Sequence, residues 1–474
     1  MVWSREKGIR LRLMAAAAVL TLLITVSAVS WAEPHPGVEL LTLAEALNRA
    51  AEKHPLVSGA QGAEESKALA LARSQAVYAP RLSLSLKPVT LSAEEKVEVQ
   101  LADSAAVNGG LSTLQGLDLS ASNRWDAGGR EGKGLRVQAQ LQLWPPARCN
   151  GDYLRLLSAE EAVELSAYKY SQARQEAVID IYSRYRMLQI EEARLKLQQD
   201  AYEANQAAYE RAVGKAEQGL ASAVEVLAAQ QAKDESLAEY RRAARDYRIK
   251  LKAFLADLSL EGEAWELEPL PDALSLPDVD ITLEEAVAMA YGADLALMEQ
   301  SQALAAAQRQ LEAVRAANGI ELSLGANASF SEEQSWDGRY EAYLSFSYPV
   351  FDGGIRQLDV KEAELNLQSA QEAVDQRRLE VGREVESKLS EIQYLADMVR
   401  IADLKYEKAA LEHNAKVLQA ANGLIPESEA KESQRLLAGA RLSWLEAAAA
   451  LEKARLELRS MTGQAVDVEG GHPN

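Results

Sequence analysis

The sequence predicts a mainly α-helical chain with a β segment: two long antiparallel helical hairpins, the second a copy of the first, each preceded by strands. Three observations predict it. The first is internal repetition. Leu41-Thr42-Leu43-Ala44-Glu45-Ala46 returns as Ile281-Thr282-Leu283-Glu284-Glu285-Ala286, and Leu82-Ser83-Leu84 returns as Leu322-Ser323-Leu324 at the same offset. Trp144-Pro145 then matches Tyr348-Pro349, and Gly219-Leu220 matches Gly423-Leu424, at one shared shorter offset. Repetition at this scale fixes the architecture before any local reading does. The second is helix length. From Tyr153 to Val213 there is neither Gly nor Pro, and apolar residues recur at three- and four-residue steps. The third is strict alternation with period two at Leu82–Leu86, Leu117–Leu119 and Leu135–Leu143, the mark of strands with one apolar and one polar face.

In chain order, Arg5, Lys7, Arg10 and Arg12 form a basic start, Leu13 to Val29 is apolar, and Ser30-Trp31-Ala32 is a small-x-small cleavage site. Residues 1–32 therefore read as a signal peptide, with an uncleaved membrane anchor as the alternative. The first repeat covers 33–256. Residues 42–79 form two short helices separated by Asn48–Pro55, with Pro55 as the breaker. A strand region follows at about 81–144. Within it the stretch 88–116 has no counterpart in the second repeat, and loop-length priors make it a surface insertion. A helical hairpin occupies about 153–256, turning at Gly219. Residues 257–280, with Pro269, Pro271 and Pro277, form a linker. The second repeat covers 281–463. It has a continuous helix over Thr282–Ala317, strands within about 320–351, and a hairpin over about 355–461 that turns at Gly423 and Pro426. Residues 464–474 read as a disordered tail.

The formal charge is −20, from 71 acidic and 51 basic side chains. That excludes a nucleic-acid partner, which needs a basic face, and suits a solvated extracytoplasmic helical surface or a cation-favouring conduit. The single cysteine, Cys149, has no partner in the chain, so packing or assembly must hold the protein together. Helices this long must pack as antiparallel coiled-coil neighbours. No His pair, nucleophile elbow or phosphate loop is present. No enzymatic activity, cofactor or metal is expected.

One strand pair per repeat makes four strands in the chain. Aromatic residues concentrate around them: Phe330, Phe346 and Phe351 are three of the four Phe residues, joined by Trp125, Trp144, Trp336, Tyr340, Tyr343 and Tyr348. Such a girdle marks the interfaces of outer-membrane barrels, with a small soluble sheet as the alternative. Strands in lipid cannot leave their edges unpaired. Four are too few to close, since single-chain barrels begin at about eight. Several chains would have to pool their strands, and the helices would then assemble with the same cyclic symmetry.

Several segments together resemble the TolC family of outer-membrane efflux proteins, over nearly the whole mature chain. They are Leu41 to Ala46, Tyr348-Pro349-Val350-Phe351-Asp352-Gly353-Gly354, Gln218-Gly219-Leu220 through Val226-Leu227-Ala228-Ala229-Gln230, and Leu456-Glu457-Leu458-Arg459-Ser460-Met461-Thr462-Gly463. The resemblance implies a homotrimer with a shared twelve-stranded transmembrane β-barrel and a trimeric α-helical barrel reaching into the periplasm. It implies partnership with a periplasmic adaptor protein, an inner-membrane pump and outer-membrane lipid, in tripartite efflux or type I secretion. It implies a passive duct for drugs, metals, small molecules or polypeptides. It also implies inward carboxylate rings near the entrance. The matching positions are Glu429 and Glu432, which share a helix face, and in the first repeat Glu225 and Ala228, so one acid is kept there. Rings of like carboxylates would favour cations; an ordinary solvated Glu face is the alternative. Where some relatives place a locking Arg, this chain has Ile425 followed by Pro426. That leaves Gly219, Leu220, Gly423, Leu424 and Pro426 as adaptor-contact tips that close by apolar contact. Lys53-His54-Pro55 stands where the family usually has Asn-Pro, and His54 is expected to be a turn residue. The rival reading is a periplasmic adaptor-like or structural coiled-coil protein.

Overall fold

The computed structural model describes residues 39–464 apart from 94–96, 127–133, 261–264, 272–273, 275–280, 332–337 and 349; for residues 39, 86–93, 97–105 and 124–126 it describes the backbone alone. The expected signal peptide, part of the expected linker and the tail beyond 464 lie outside the described residues. Glu39–Leu41 (β1) and Trp265–Leu267 (β6) pair in parallel as a small unit of their own, with Leu40 opposite Glu266.

The rest of the chain is built twice. Helices α1 (Leu43–Lys53) and α2 (Pro55–Gln75) correspond to α5 (Leu283–Ala293) and α6 (Leu295–Ala317). The recurring Leu-Thr-Leu-x-Glu-Ala segment is a helix start in both places. The Thr42 hydroxyl accepts from the Glu45 N–H, and Thr282 and Glu285 form a reciprocal capping box; each cap satisfies N–H groups that the first turn leaves without helical partners. Long helices α3 (Gly151–Glu217) and α7 (Ile355–Ala421) contain 67 residues each, and their return helices α4 (Ala223–Asp257) and α8 (Glu427–Met461) contain 35 each. At 1.5 Å per residue, α3 and α7 are each roughly 100 Å long.

Two expectations about the short helices are corrected. Asn48–Lys53 is helical, so the first break falls at His54 alone, where the absent N–H and ring of Pro55 suit only a helix start. The stretch Thr282–Ala317 is not continuous: it breaks at Asp294, whose carboxylate accepts the Leu297 N–H at 2.6 Å and caps the next helix.

The helices pack through narrow apolar stripes rather than around one central core. Ala286 and Ala290 of α5, Val381, Val385 and Ile392 of α7, and Leu451, Ala454 and Leu458 of α8 form one buried cluster. Ile190 of α3 and Leu442, Leu445, Ala448 and Ala449 of α8 form another, and this one joins the two hairpins. Alanine recurs at both seams because a small side chain lets helix backbones approach to the 8–10 Å of close packing.

The sheet holds six strands, not four. Its order is β2 (Arg81–Ala93), β3 (Val97–Ser112), β4 (Leu117–Asp126), β5 (Gly134–Trp144), β7 (Glu321–Ser331) and β8 (Arg339–Ser347), antiparallel throughout. Most of the expected surface insertion is therefore strand: the end of β2, and β3, which pairs with β2 on one side and β4 on the other. A loop there would leave about forty backbone polar groups to be satisfied one at a time; a ladder pairs them together.

Candidate membrane wall and entrance tips

Strand period fixes which residues share a face, because directly opposed residues on neighbouring strands point the same way. One row across all six strands reads Leu82, Gly109, Ala121, Val137, Ala328, Tyr340. The next row, on the other face, reads Ser83, Asn108, Ser122, Arg136, Ser329, Arg339. The division holds across the sheet. Leu117, Leu141, Leu324 and Leu344 lie on the first face, and Ser120, Gln138, Asn327 and Glu341 on the second. Among the positions of the apolar face whose side chains are described, Asn123 is the polar exception. That face is open: Leu82 is 79% exposed and Leu344 64%. A continuous exposed apolar sheet face of this extent marks contact with lipid or protein.

The aromatics fall at the ends of this face. Trp144 and Phe346 share a row at the helix end, both opposite Leu322. Phe330 and Tyr340 meet edge to face at the far end, ring centroids 5.9 Å apart. Tyr343 is instead on the polar face, because it is an odd number of residues from Tyr340 and Phe346. Its ring lies where a Cβ on the opposed Gly325 would be, within 2.3 Å of that position, so the glycine makes room for the ring. Tyr348 and Phe351 follow β8 and are exposed. Trp125 is on β4 by its backbone, with its side chain outside the described residues, and Trp336 lies outside them altogether. Among the described residues, no helix is long and apolar enough to cross a membrane.

At the opposite ends of α3 and α7 are the two helical turns, and they are built alike. Gly219 and Gly423 take left-handed conformations, with φ of 71° and 70°. The Leu220 N–H donates to the Lys215 carbonyl at 2.8 Å and Leu424 N–H to that of Gln419 at 2.9 Å. These are Schellman closures, which favour glycine because a Cβ resists positive φ. They leave Leu220 and Leu424 projecting, 73% and 74% exposed. Pro426 is the cap residue of α8 and Ile425 before it is half-buried.

The candidate acids differ in how much free charge they offer. Glu225 is spent locally: its carboxylate accepts the Ser222 N–H at 3.0 Å while Ser222 caps the Glu225 N–H. Glu432 is paired with Arg435 one turn on. Glu429, in the first turn of α8, is exposed and has no side-chain partner among the described residues. Nearby, α3 and α8 flank a groove of about 690 Å³ lined by Asp200, Arg211, Glu427, Lys431 and Arg435. The hairpin α7–α8 is tied just above its turn, where His413 Nδ1 lies 2.8 Å from Ser433 Oγ and that hydroxyl donates to the Ala430 carbonyl.

Both helix breaks are keyed to a long helix, a feature the sequence reading missed. At the first, His54 Nδ1 accepts the Leu56 N–H and Nε2 stands 3.8 Å from Asp180 of α3. At the second, Arg377 of α7 donates to both oxygens of Asp294, at 3.0 and 2.8 Å, and also to Glu384. Burial alone would raise the Asp294 pKa. The Arg377 guanidinium and the Leu297 N–H outweigh it and hold the carboxyl below its ordinary range. The available signal was the shared offset, which places Asp294 on His54.

Residues 287–464 match the model of the outer membrane efflux protein family. Among solved structures, the outer membrane protein VceC of Vibrio cholerae is similar at 14% identity, with a TM-score of 0.61 over 90% of this chain and 97% of that one. The CmeC outer membrane channel of Campylobacter jejuni is similar at 13% identity and a TM-score of 0.62, covering 92% and 90%. The MtrE outer membrane channel of Neisseria gonorrhoeae is similar at 15% identity and a TM-score of 0.60, covering 89% of each. No curated protein matches by sequence.

Proposed function

We propose, on the premise that this chain is a TolC-like outer membrane efflux protein, that it assembles as a homotrimer and forms the exit duct of a tripartite efflux or type I secretion system. In this reading residues 1–32 direct export and 257–280 link the repeats. The pooled sheets span the outer membrane and the helical hairpins extend into the periplasm. The tips around Gly219, Leu220, Gly423, Leu424 and Pro426 meet a periplasmic adaptor, itself coupled to an inner-membrane pump. The chain transports passively and performs no chemistry.

One observation carries the reading. A six-stranded sheet with one apolar and one polar face is joined directly to helices roughly 100 Å long. In hydrocarbon an unpaired backbone group costs several kcal/mol, so the open outer edges of β2 and β8 require neighbouring chains. The polar face, rich in Ser, Gln and Asn, suits a water-filled interior.

The test is membrane fractionation of the full-length chain, followed by unheated electrophoresis and planar-bilayer recording. The expected result is a heat-resistant trimer in the detergent-extracted outer membrane that forms ion-conducting channels. A water-soluble periplasmic species that never conducts would refute the duct and favour the adaptor-like alternative.

A further inference from the structure

We infer that the barrel wall is eighteen-stranded, six strands from each of three copies, and that the membrane segment is therefore not where cargo is selected by size. This rests on the trimeric duct proposed above and replaces the twelve-stranded wall that the resemblance implied.

The strands in question are β3 and β4. Three features place them in the wall rather than on its outside. Each is hydrogen-bonded on both sides, β3 to β2 and β4, β4 to β3 and β5, so neither can leave without opening a ladder. Each continues the two-faced pattern of the strands around it. Leu111 and Leu119 stand in one row with Ala139 and Ala326, while Gly110 and Ser120 stand in the alternate row with Gln138 and Asn327. Each also exceeds or matches the 9–11 residues a tilted strand needs to cross a bilayer, with 16 in β3 and 10 in β4. A loop folded against the outside of a barrel would satisfy none of these together.

Closure follows from direction. Six antiparallel strands leave β2 and β8 running in opposite senses, so β8 of one copy can pair with β2 of the next as an ordinary antiparallel ladder. The apolar face reaches both edges, at Leu82 and Leu84 on β2 and at Leu344 and Phe346 on β8. A repeated head-to-tail contact of this kind closes a ring. Barrel diameter grows roughly in proportion to strand number, and 16–18 strands already leave an aqueous channel. The pore would be about one and a half times as wide as a twelve-stranded one. Its polar rows carry mainly Ser, Asn, Gln and Gly with interspersed charges of both signs, such as Arg136, Glu321 and Glu341, which gives little charge selection. Selection by size and charge then falls to the helical tips.

The experiment places single cysteines in a Cys149→Ser background of the full chain: Leu111→Cys, Leu119→Cys, Ala139→Cys and Ala326→Cys in one row, and Ser120→Cys and Gln138→Cys in the alternate row. Each is labelled with bimane and reconstituted in vesicles of brominated phosphatidylcholine. Loss of fluorescence to the brominated lipid is expected at 111, 119, 139 and 326, and loss to aqueous iodide at 120 and 138. Should Leu111→Cys fail to fold, Val107→Cys, a smaller change on the same face of β3, takes its place. Lipid quenching at 139 and 326 but not at 111 or 119 would overturn the inference and leave the duct standing. Quenching by lipid at none of them would bring down the duct itself. Chemical cross-linking supplies the copy number: a ladder ending at three supports eighteen strands, and one ending at two would mean twelve and overturn the count.

Discussion

At the scale of single residues, the decisive groups are those whose polar atoms had to be placed in a helix seam. Glu452 of α8 lies between the hairpins, against Tyr182 of α3. Burial raises its pKa, against the opposing pull of the Tyr182 hydrogen bond and the Arg186 charge, and one carboxylate oxygen has no hydrogen-bond partner among the described residues. Tyr182 is raised as well, first by its own burial and then by Glu452. The sign follows from linkage. A carboxyl whose folded pKa is raised contributes stability that is present below its unfolded pKa and is lost as pH rises through the folded value. Glu452→Gln removes the ionisation and keeps an acceptor for Tyr182. It should raise the thermal midpoint at pH 8 and leave it nearly unchanged at pH 4, a difference that paired melting curves would read. An equal shift at both pH values would mean that burial of the charge is not what the wild-type residue costs.

At the scale of elements, the short helices are instructive because each is broken and pinned at the same place. In the second repeat Asp294 does two things: it caps α6 and it receives Arg377 from α7. The two roles can be separated. Arg377→Met strands a largely buried carboxylate, with Asp294 and Arg377 side chains only 17% and 19% exposed, and should cost about 3 kcal/mol, the scale of breaking a buried pair from one side. Asp294→Asn keeps the cap, for which Asn is as good as Asp, and leaves Arg377 its contacts with Glu380 and Glu384. It should cost about 1 kcal/mol, the net worth of a hydrogen bond. Urea midpoints of the two variants would show the order, and a reversed order would mean that the cap rather than the ion pair holds the junction.

At the scale of the whole molecule, the proposed duct has a wide, weakly charged wall at one end and the helical tips at the other. Of the three candidate acids, Glu429 alone keeps a free carboxylate among the described residues, since Glu225 is bound in its own capping box and Glu432 is held by Arg435. Three copies would repeat it around the axis, where like charges select cations. Glu429→Gln is therefore expected to lower the cation preference measured by reversal potential in a planar bilayer, and Glu432→Gln to lower it less. Equal effects, or none, would show that the face is simply solvated.

The sequence by itself determined the duplication, the two long hairpins and the glycine turns. Helix periodicity, capping Thr-x-x-Glu and the left-handed preference of Gly219 and Gly423 act within a few residues, so they are written locally. It also held a signal for β3, where Val97, Val99 and Leu101 alternate with Glu98 and Gln100. The lack of a counterpart in the second repeat outweighed that signal and made the stretch look like an insertion. Tertiary structure alone decided what depends on pairing across the chain. Strand count and register require knowing which ladders form, and pairing is what set Gly325 opposite the Tyr343 ring. The ion pair that joins the break at Asp294 to Arg377 links residues more than eighty positions apart, and the free charge at the tip depended on which acids found partners. Such choices turn on contacts between distant segments, whose energies no local window of residues contains.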